Sequence, residues 1–250
     1  ATMGRDLLGP VREPGASAVR LSGELASVLA GLAAGARYVM RRRGPAAALG
    51  ATAGNRLMYG AMFLMSILLY RNYFYPSRVT VAESHFGILV TVSAIGYGCA
   101  ALVTPPVTRR LSRVAFIALL LAASAVVTGA LGETFSQVAY LVMAFCIGLA
   151  TQGVAICATT ILQQEVDDAY RGRMFAFYDV TFNVTYTLGA VIGAALMPDN
   201  GHAPVLIAVL AVGYAVTAVA YWLAAGRRQS WPGADGGGVM PSVRAQRSSS

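Results

Sequence analysis

The sequence contains no lysine, few charges and little cysteine or histidine. Only 12% of the 250 residues are charged, the 19 basic residues are all arginine, and there are 3 cysteines and 2 histidines. Zinc sites and disulfide frameworks need paired or regularly spaced cysteines. Cys99, Cys146 and Cys157 instead stand singly inside apolar runs. We therefore expect neither a metal site nor a cofactor.

Motifs for catalysis and for nucleic-acid binding are also missing. The sequence has no G-x-S-x-G, H-E-x-x-H or P-loop motif. Polar residues within the apolar runs are scattered singly rather than arranged as nucleophile and base. The net charge of +8 is not accompanied by a basic face on a soluble module. We expect no enzymatic activity and no nucleic-acid partner.

Long hydrophobic runs are what the sequence has instead. It is 56% hydrophobic, above the ~45–50% usual for soluble domains. A bilayer-spanning helix needs ~20 mostly apolar residues, because its backbone polar groups must be bonded within the helix. Six runs reach that length, at roughly 46–70, 84–107, 114–132, 134–162, 174–197 and 203–225. They predict an all-α membrane protein with six transmembrane helices in a lipid bilayer.

Arginine is concentrated in alternate connections between these runs. It precedes the first run and follows the second, the fourth and the sixth, whereas the other connections hold only Arg71 and Arg78. Arginine in short loops is retained on the cytoplasmic side of a membrane. This alternation predicts a multi-pass protein of the cell inner (plasma) membrane with both termini in the cytoplasm.

Three regions differ in composition. Residues 1–43 are predicted to be a cytoplasmic linker, in which apolar residues from Leu21 to Val39 recur near a 3.6-residue period and indicate an amphipathic helix at the inner surface. Residues 44–226 hold the six-helix domain. Residues 227–250 have few large apolar side chains and predict a disordered cytoplasmic tail. Because the chain begins with Ala1 rather than methionine, we expect a fragment or a processed product.

Two arginine-rich connections carry a family resemblance. TPPVTRRLSR joins the second and third runs, and E-x5-R-G-R, from Glu165 to Arg173, joins the fourth and fifth. The latter is followed by MFAFYDVTFNVTYTLGAVIGA, which ends in a glycine-rich stripe. Together with the amphipathic segment, this arrangement resembles the C-terminal half of a major facilitator superfamily transporter over roughly residues 20–226. TPPVTRRLSR departs from the family's G-x-x-x-D-R-x-G-R-[RK] pattern, since it lacks the aspartate and the glycines.

The resemblance implies one half of a twelve-helix transporter bundle. In such transporters two six-helix halves rock about a site near the bilayer midplane. The implied function is secondary active transport of a small-molecule substrate by alternating access, as proton-coupled export of amphipathic molecules. The implied partner is the missing N-terminal six-helix half. The alternative is a six-helix membrane scaffold, or a truncated remnant, that transports nothing.

Polar residues inside the apolar runs are the candidates for a substrate or proton pathway, because a charge in hydrocarbon is costly unless it faces a cavity or a partner. Arg56 lies about ten residues into the first run, although it becomes an interfacial anchor if that run begins near Leu57. Asp179 is the corresponding acid in the fifth run, although its side chain could also extend to the inner surface. We expect the two charges to face the central cavity and compensate one another, directly or through substrate. The candidates are Asn55, Arg56, Tyr59, Tyr97, Gln152, Asp179, Asn183 and Tyr186.

Other polar and small residues in the runs have simpler interpretations. Tyr97 and Gln152 are equally compatible with a hydrogen bond to a neighbouring helix. Gly189 and Gly193 form a small-residue face that predicts close helix packing. His85 and His202, at predicted outer ends, are interpreted as ordinary interfacial histidines, with a titratable proton sensor as the alternative.

Charges at the ends of the runs form a second candidate set. The segment QQEVDDAYRGR, residues 163–173, has three acids and two arginines in a predicted cytoplasmic connection. They are either solvated anchors or an inner gate, in which acids after the fourth run pair with arginines after the second and bias a two-state equilibrium. The gate candidates are Arg109, Arg110, Arg113, Glu165, Asp167, Asp168, Arg171 and Arg173.

Overall fold

Six long α-helices dominate the part of the chain that the structure, a computed structural model, describes. That part comprises residues 31, 33–37 and 39–226. The helices are α1 (Arg43–Leu68), α2 (Val79–Thr108), α3 (Arg113–Gly132), α4 (Gln137–Glu165), α5 (Asp168–Leu196) and α6 (Pro204–Ala225), and a π-helical segment, Leu69–Phe74, continues α1. No strand occurs in the described residues.

Five of these helices, α2 to α6, are long and apolar enough to cross a bilayer. α1 is comparably long, at 26 residues, but it carries Asn55 and Arg56 near its middle and is not among the five. The prediction of an all-α membrane protein is therefore confirmed, with five helices that meet the length and composition of a membrane span.

The connection between α4 and α5 is much shorter than the sequence predicts. α4 ends at Glu165 and α5 begins at Asp168, so only Val166 and Asp167 join them. The prediction that residues 163–173 form the connection is wrong in its bounds, because Arg171 and Arg173 already lie within α5. A helix need not end where its apolar run ends, because charged residues continue it into water at little cost to the backbone.

The connection between α2 and α3 is also shorter than predicted. α2 runs through Pro105 and Pro106 as far as Thr108, so TPPVTRRLSR leaves the helix only at residues 109–112. α3 then begins at Arg113, with the Ser112 side chain accepting a hydrogen bond from the backbone N–H of Ala115 at 3.2 Å. Such an N-cap satisfies a backbone donor that the first helical turn leaves unpaired.

The linker and the tail are described only in part. Residues 1–30 and 227–250 lie outside the described residues, and with them most of the predicted amphipathic helix and the whole predicted tail. Residues 33–37 and 39–40 are helical. Val39 is fully buried in a cluster with Leu49, Leu162 and Met174. The described end of the linker therefore packs against α1, α4 and α5.

The helices pack mainly as three pairs. α1 lies along α5, α2 along α4, and α3 along α6, while α4 also contacts α1 and α3, and α6 also contacts α1. The core between them includes the fully buried side chains of Met65, Tyr140, Ile147, Ile207 and Tyr214. α1 and α4 are consequently the central helices, and they position the candidate site.

Glycines bring α1 and α5 into backbone contact. A Cβ atom added to Gly60 would lie 2.1 Å from the carbonyl oxygen of Tyr186, and one added to Gly189 would lie 2.0 Å from the carbonyl oxygen of Leu57. Gly193 likewise faces Ala61, whose Cα would be 3.1 Å from an added Cβ. The interpretation of Gly189 and Gly193 as a packing face is confirmed.

We expect Gly96→Ala to destabilise the chain and Gly98→Ala to leave its stability unchanged. A Cβ atom at Gly96 would lie 2.3 Å from the carbonyl oxygen of Phe145 on α4, whereas nothing lies within 4 Å of one at Gly98 on the same helix. Forcing apart packed backbones costs about 1–3 kcal/mol. Thermal unfolding in detergent, followed by circular dichroism, measures the difference. Equal melting temperatures for the two variants would contradict the close contact of α2 with α4.

The two ends of the bundle differ in chemistry. We call the end where Arg42, Arg113 and Glu165 lie the arginine end, and the opposite end the aromatic end. At the aromatic end the His202 ring stacks on Phe135 with centroids 3.9 Å apart, and it lies 5.0 Å from the Tyr73 ring. These rings join the π-helical segment to the α3–α4 and α5–α6 connections.

Candidate functional site

A buried arginine lies near the middle of α1. Arg56 is 7% exposed, and its neighbour Asn55 is 1% exposed. The guanidinium carbon of Arg56 lies 3.3 Å from the ring centroid of Phe182 on α5 and 5.8 Å from that of Tyr59. Its Nη1 donates a hydrogen bond to the hydroxyl of Tyr97 on α2 at 3.3 Å. Arg56 is therefore enclosed by three helices rather than placed at a helix end.

The charge of Arg56 has no protein counter-ion in the described part of the chain. No carboxylate oxygen there lies within 4 Å of its guanidinium group, and Asp179 is exposed on α5. Direct pairing of these two residues, one of the two predicted forms of compensation, is not formed in this conformation. Compensation through a substrate stays a prediction. A cation over an aromatic face gains roughly 0.5–2 kcal/mol, whereas burying an ion costs several kcal/mol. The ring of Phe182 thus offsets only part of the cost.

A cavity of about 290 Å³ lies next to this arginine, between α1, α2 and α4. Its walls are mostly apolar, and its polar groups are hydroxyls. The apolar side chains include Met62, Phe63, Leu89, Met143 and Ile147, and the hydroxyls belong to Tyr59, Ser66, Ser93, Tyr97 and Tyr140. An apolar chamber with a few convergent polar groups is the usual form of a small-molecule site.

The hydroxyls of Tyr59 and Tyr97 connect the cavity to Arg56. The two rings lie 6.3 Å apart, and the Tyr59 hydroxyl lies 3.5 Å from Ser93 Oγ. A guanidinium group only donates, so the Tyr97 oxygen is the acceptor in its contact with Arg56. The Tyr97 hydroxyl also interacts with the hydroxyl of Tyr59, which can accept its hydrogen. The hydroxyls of Tyr97, Tyr59 and Ser93 therefore form a polar strip on the cavity wall next to the charge of Arg56.

The candidate residues on α5 divide between two faces. Asp179 and Asn183 are exposed, and Asn183 Nδ2 donates to the backbone oxygen of Asp179 at 2.8 Å. Tyr186 is half-buried, and its ring lies 6.0 Å from Tyr59 and 6.2 Å from Phe63. Tyr186 thus joins the aromatic surroundings of the cavity, whereas the other two side chains point away from it.

The structure brings together four of the predicted pathway residues: Arg56, Tyr59, Tyr97 and Tyr186. Gln152 is half-buried on α4 and does not line the cavity. Sequence reasoning missed Phe182, although it stands four positions before Tyr186 and residues at that spacing share a helix face. The pathway role of all these residues stays a prediction.

The charges at the arginine end form contacts other than the predicted ones. Arg42 donates to Asp167 Oδ2 at 3.2 Å and also to the backbone oxygen of Glu165. Arg113 Nη1 donates to Gln164 Oε1 at 3.0 Å. These contacts link α4 to its neighbours through an arginine before α1 and through an amide. The predicted pairing of the acids after the fourth run with the arginines after the second stays a prediction.

The remaining gate candidates are spread over the surface of the arginine end. Arg109, Arg110 and Arg173 are exposed, and Arg171 lies 3.5 Å from the backbone oxygen of Gln163. The side chain of Asp168 lies outside the described residues. A gating role for this set stays a prediction.

We expect the Arg42–Asp167 contact to contribute little stability. Their side chains are 40% and 67% exposed, and exposed ion pairs typically contribute about 0–1 kcal/mol. A double-mutant cycle with Arg42→Ala, Asp167→Ala and the combination, measured by unfolding in detergent, gives the coupling. Arg41→Ala at a neighbouring exposed position is the control. A coupling free energy well above about 1 kcal/mol would contradict this expectation and would support a gating role for the contact.

The sequence of the helix bundle matches a known family. The sequence profile of the Major Facilitator Superfamily matches residues 46–247. The chain belongs to the major facilitator superfamily. The family resemblance stated from the arginine-rich connections is confirmed.

Two curated relatives within the major facilitator superfamily resemble this chain. They are named as MFS-type transporters, one of Mycobacterium bovis and one of Mycobacterium tuberculosis, and each is 34% identical to it over 181 residues. The match covers 72% of this chain but only 40% of either relative, so the chain spans less than half the length of the curated relatives it matches. No solved structure matches the chain. As a superfamily member it is a multi-pass membrane protein.

Proposed function

We propose that this chain is the C-terminal six-helix half of a secondary active transporter, which exports small amphipathic molecules in exchange for protons by alternating access. The observation that carries the proposal is the cavity of about 290 Å³ between α1, α2 and α4, with the Tyr97 hydroxyl and Arg56 beside it. Family membership, and relatives named as transporters, support a transport role for a cavity of this kind. Export and proton coupling are proposed on the analogy with the family alone.

In this proposal α1 is the sixth span. Its 26 residues extend ~39 Å at 1.5 Å per residue, which exceeds the ~30 Å of the hydrocarbon core. Asn55 and Arg56 lower its apolar character, but both are buried against other helices. They consequently do not face lipid, and α1 remains compatible with a transmembrane position.

The exposed polar face of α5 supports a missing N-terminal half as partner. Asp179, Asn183 and Thr187 are exposed along a helix that is apolar enough to cross a membrane. An aspartate at the centre of a spanning helix costs ~2.5–3.5 kcal/mol in lipid. α5 and α2 are also the least buried spans, at 11% and 17%, against 50% for α4. A second six-helix half against α2 and α5 would shield this face.

Asp179 is the proposed proton carrier. It is a carboxylate within the α5 span, and an intramembrane acid that faces a water-filled cavity is the usual element of a proton relay. Its exposed position places it on the side proposed to face the other half, where its access to water changes as the halves rock. Asp179→Asn should therefore abolish the dependence of transport on a pH gradient.

The arginine end is proposed to face the cytoplasm. Cysteines introduced at Ser77 and Asn200, in connections at the aromatic end, should react with an impermeant thiol reagent added to intact cells, whereas one at Arg110 should not. The background carries serine at Cys99, Cys146 and Cys157. Permeabilised cells supply the control, because all three positions should then react. Labelling of position 110 in sealed cells would reverse the orientation.

Transport by the reconstituted protein tests the proposed function. The chain is produced together with an N-terminal half, as one polypeptide or as two, and placed in proteoliposomes with fluorescent amphipathic probes. We expect probe movement that a pH gradient accelerates and that neither half shows alone. Tyr97→Ala, which removes a cavity hydroxyl and its ring, should be inactive. If the assembled halves move none of the probes, the chain is a scaffold or a remnant instead.

A further inference from the structure

The charge beside the cavity restricts the chemistry of its ligand. We propose that the cavity takes small amphipathic anions of the carboxylate class, with Tyr97 donating to the carboxylate and Arg56 supplying the counter-charge. The inference rests on the transport function proposed above and adds the substrate class to it.

The first support is the unused binding capacity of Arg56. Its guanidinium group carries several N–H donors in a planar fork that matches a carboxylate. In the described residues the only hydrogen bond recorded from its side chain runs to Tyr97 at 3.3 Å, which is long for N–H···O. No carboxylate there lies within 4 Å, and the side chain is 93% buried. Arg56 is not itself among the side chains that line the cavity, so an anion bound there would contact Tyr97 and would balance the charge of Arg56 behind it.

The second support is the direction of the hydroxyl contacts. Tyr97 lines the cavity and accepts from Arg56, and its hydroxyl also interacts with that of Tyr59, so a ligand oxygen would replace Tyr59 as the acceptor of the Tyr97 hydrogen. A donor polarised by a neighbouring cation forms stronger, charge-assisted hydrogen bonds. Ser93 and Tyr59, 3.5 Å apart on the same side of the cavity, can add a second donor. Hydroxyls both donate and accept, so it is the adjacent charge of Arg56 that favours an anionic oxygen over an ammonium group at this position.

The aromatic rings around the cavity accommodate the apolar body of the ligand. Phe63 lies 5.6 Å from Phe86 and 6.2 Å from Tyr186, measured between ring centroids. Aromatic faces also attract ammonium groups, which is the competing ligand chemistry. A second cation next to Arg56 would meet a like charge in a poorly screened interior, however, and like charges repel strongly there. The sign of the ligand's charge is thus set by Arg56.

Three probes of similar size and different charge test the proposal. They are phenylbutyrate, phenylbutyramide and phenylbutylamine, and their binding to the chain in lipid nanodiscs is measured by calorimetry. A hydrogen bond to a charged group is worth roughly tenfold to hundredfold in affinity. We expect phenylbutyrate to bind at least about tenfold more tightly than either of the other two.

Matched variants locate the preference. Arg56→Gln should remove the preference for the carboxylate, and Arg56→Lys, which keeps a charge but not the fork, should retain part of it. Tyr97→Phe, which keeps the ring, should weaken phenylbutyrate binding and leave phenylbutyramide nearly unchanged. Arg78→Gln, at an exposed position near the aromatic end, is the control and should bind like the unmodified chain. Tyr97→Phe keeps the test decisive if the Arg56 variants do not fold.

Two results would overturn the inference. One is an unmodified chain that shows no preference for phenylbutyrate, or whose preference survives both Arg56→Gln and Tyr97→Phe. The other is a preference that disappears when the N-terminal half is present, because a carboxylate of that half would then be the anion that Arg56 binds. Transport of the probes without a preference for the carboxylate would contradict the carboxylate proposal and leave the proposed transport function standing. A preference for the carboxylate without transport by the assembled halves would contradict the proposed transport function and leave the carboxylate proposal standing.

Discussion

Replacing Gly189 with leucine is expected to prevent the chain from folding. A Cβ atom alone would stand 2.0 Å from the carbonyl oxygen of Leu57, and this obstacle is backbone, which cannot rotate away as a side chain can. The whole α1–α5 interface would have to separate, although it is among the most extensive in the molecule. Small residues that allow backbones to approach closely drive such association in membranes. We expect a loss of at least about 3 kcal/mol.

The measurement is the fraction of chain recovered as a monodisperse species in detergent, together with its melting temperature. Gly172→Leu is the control on the same helix, since nothing lies within 4 Å of an added Cβ there. Gly60→Leu tests the same contact from α1, where a Cβ would stand 2.1 Å from the Tyr186 carbonyl oxygen. A Gly189→Leu chain that melts like Gly172→Leu would mean that α1 and α5 are not in backbone contact.

Arg56→Met is expected to stabilise the chain while removing its preference for anions. The arginine is 7% exposed and has no carboxylate within 4 Å in the described part of the chain. Replacing buried charges with well-packed apolar residues of similar size is often stabilising by about 1–4 kcal/mol. Methionine retains the unbranched shape and fills irregular space. The lost contact with the Phe182 face, roughly 0.5–2 kcal/mol, reduces this gain without reversing it.

Unfolding in detergent measures the expected gain in stability, and phenylbutyrate binding by the same preparations measures the expected loss of anion preference. Arg78→Met, at an exposed position, is the control and should change neither property appreciably. Destabilisation by Arg56→Met of more than about 1 kcal/mol would identify the arginine as a structural element of the bundle. A stabilised variant without anion preference would identify it as a residue retained for function at the expense of stability.

The number and position of the long helices follow from local properties of the chain. An apolar run of about 20 residues has few alternatives to a helix in a membrane, because its backbone polar groups find no water there. Five helices of that kind were accordingly predicted close to where they lie. The ends of the helices were predicted less well. α5 begins at Asp168, before the apolar run from which it was predicted. Hydropathy marks where a helix leaves lipid, whereas the end of a helix is where its backbone hydrogen bonds stop.

The site was only partly predictable. Arg56 and Asn55 were found because polar residues within an apolar run are conspicuous in a sequence. Tyr59, Tyr97 and Tyr186 were found for the same reason. Phe182 was missed, because a phenylalanine in an apolar run looks the same whether it packs against leucine or beneath a guanidinium group.

The sequence by itself determined the membrane class, the family and the identity of the unusual charges, since each of these depends on composition or on short local patterns. Tertiary structure alone decided what those charges contact. Arg56 lies against Phe182 of α5 and Tyr97 of α2, and Arg42 reaches Asp167 across the bundle, through partners more than 40 positions away. Such contacts depend on which faces of the helices meet. The faces that meet are decided where the helix backbones approach closely, as at Gly60 and Gly189. The packing energy there depends on the shapes of both helices together.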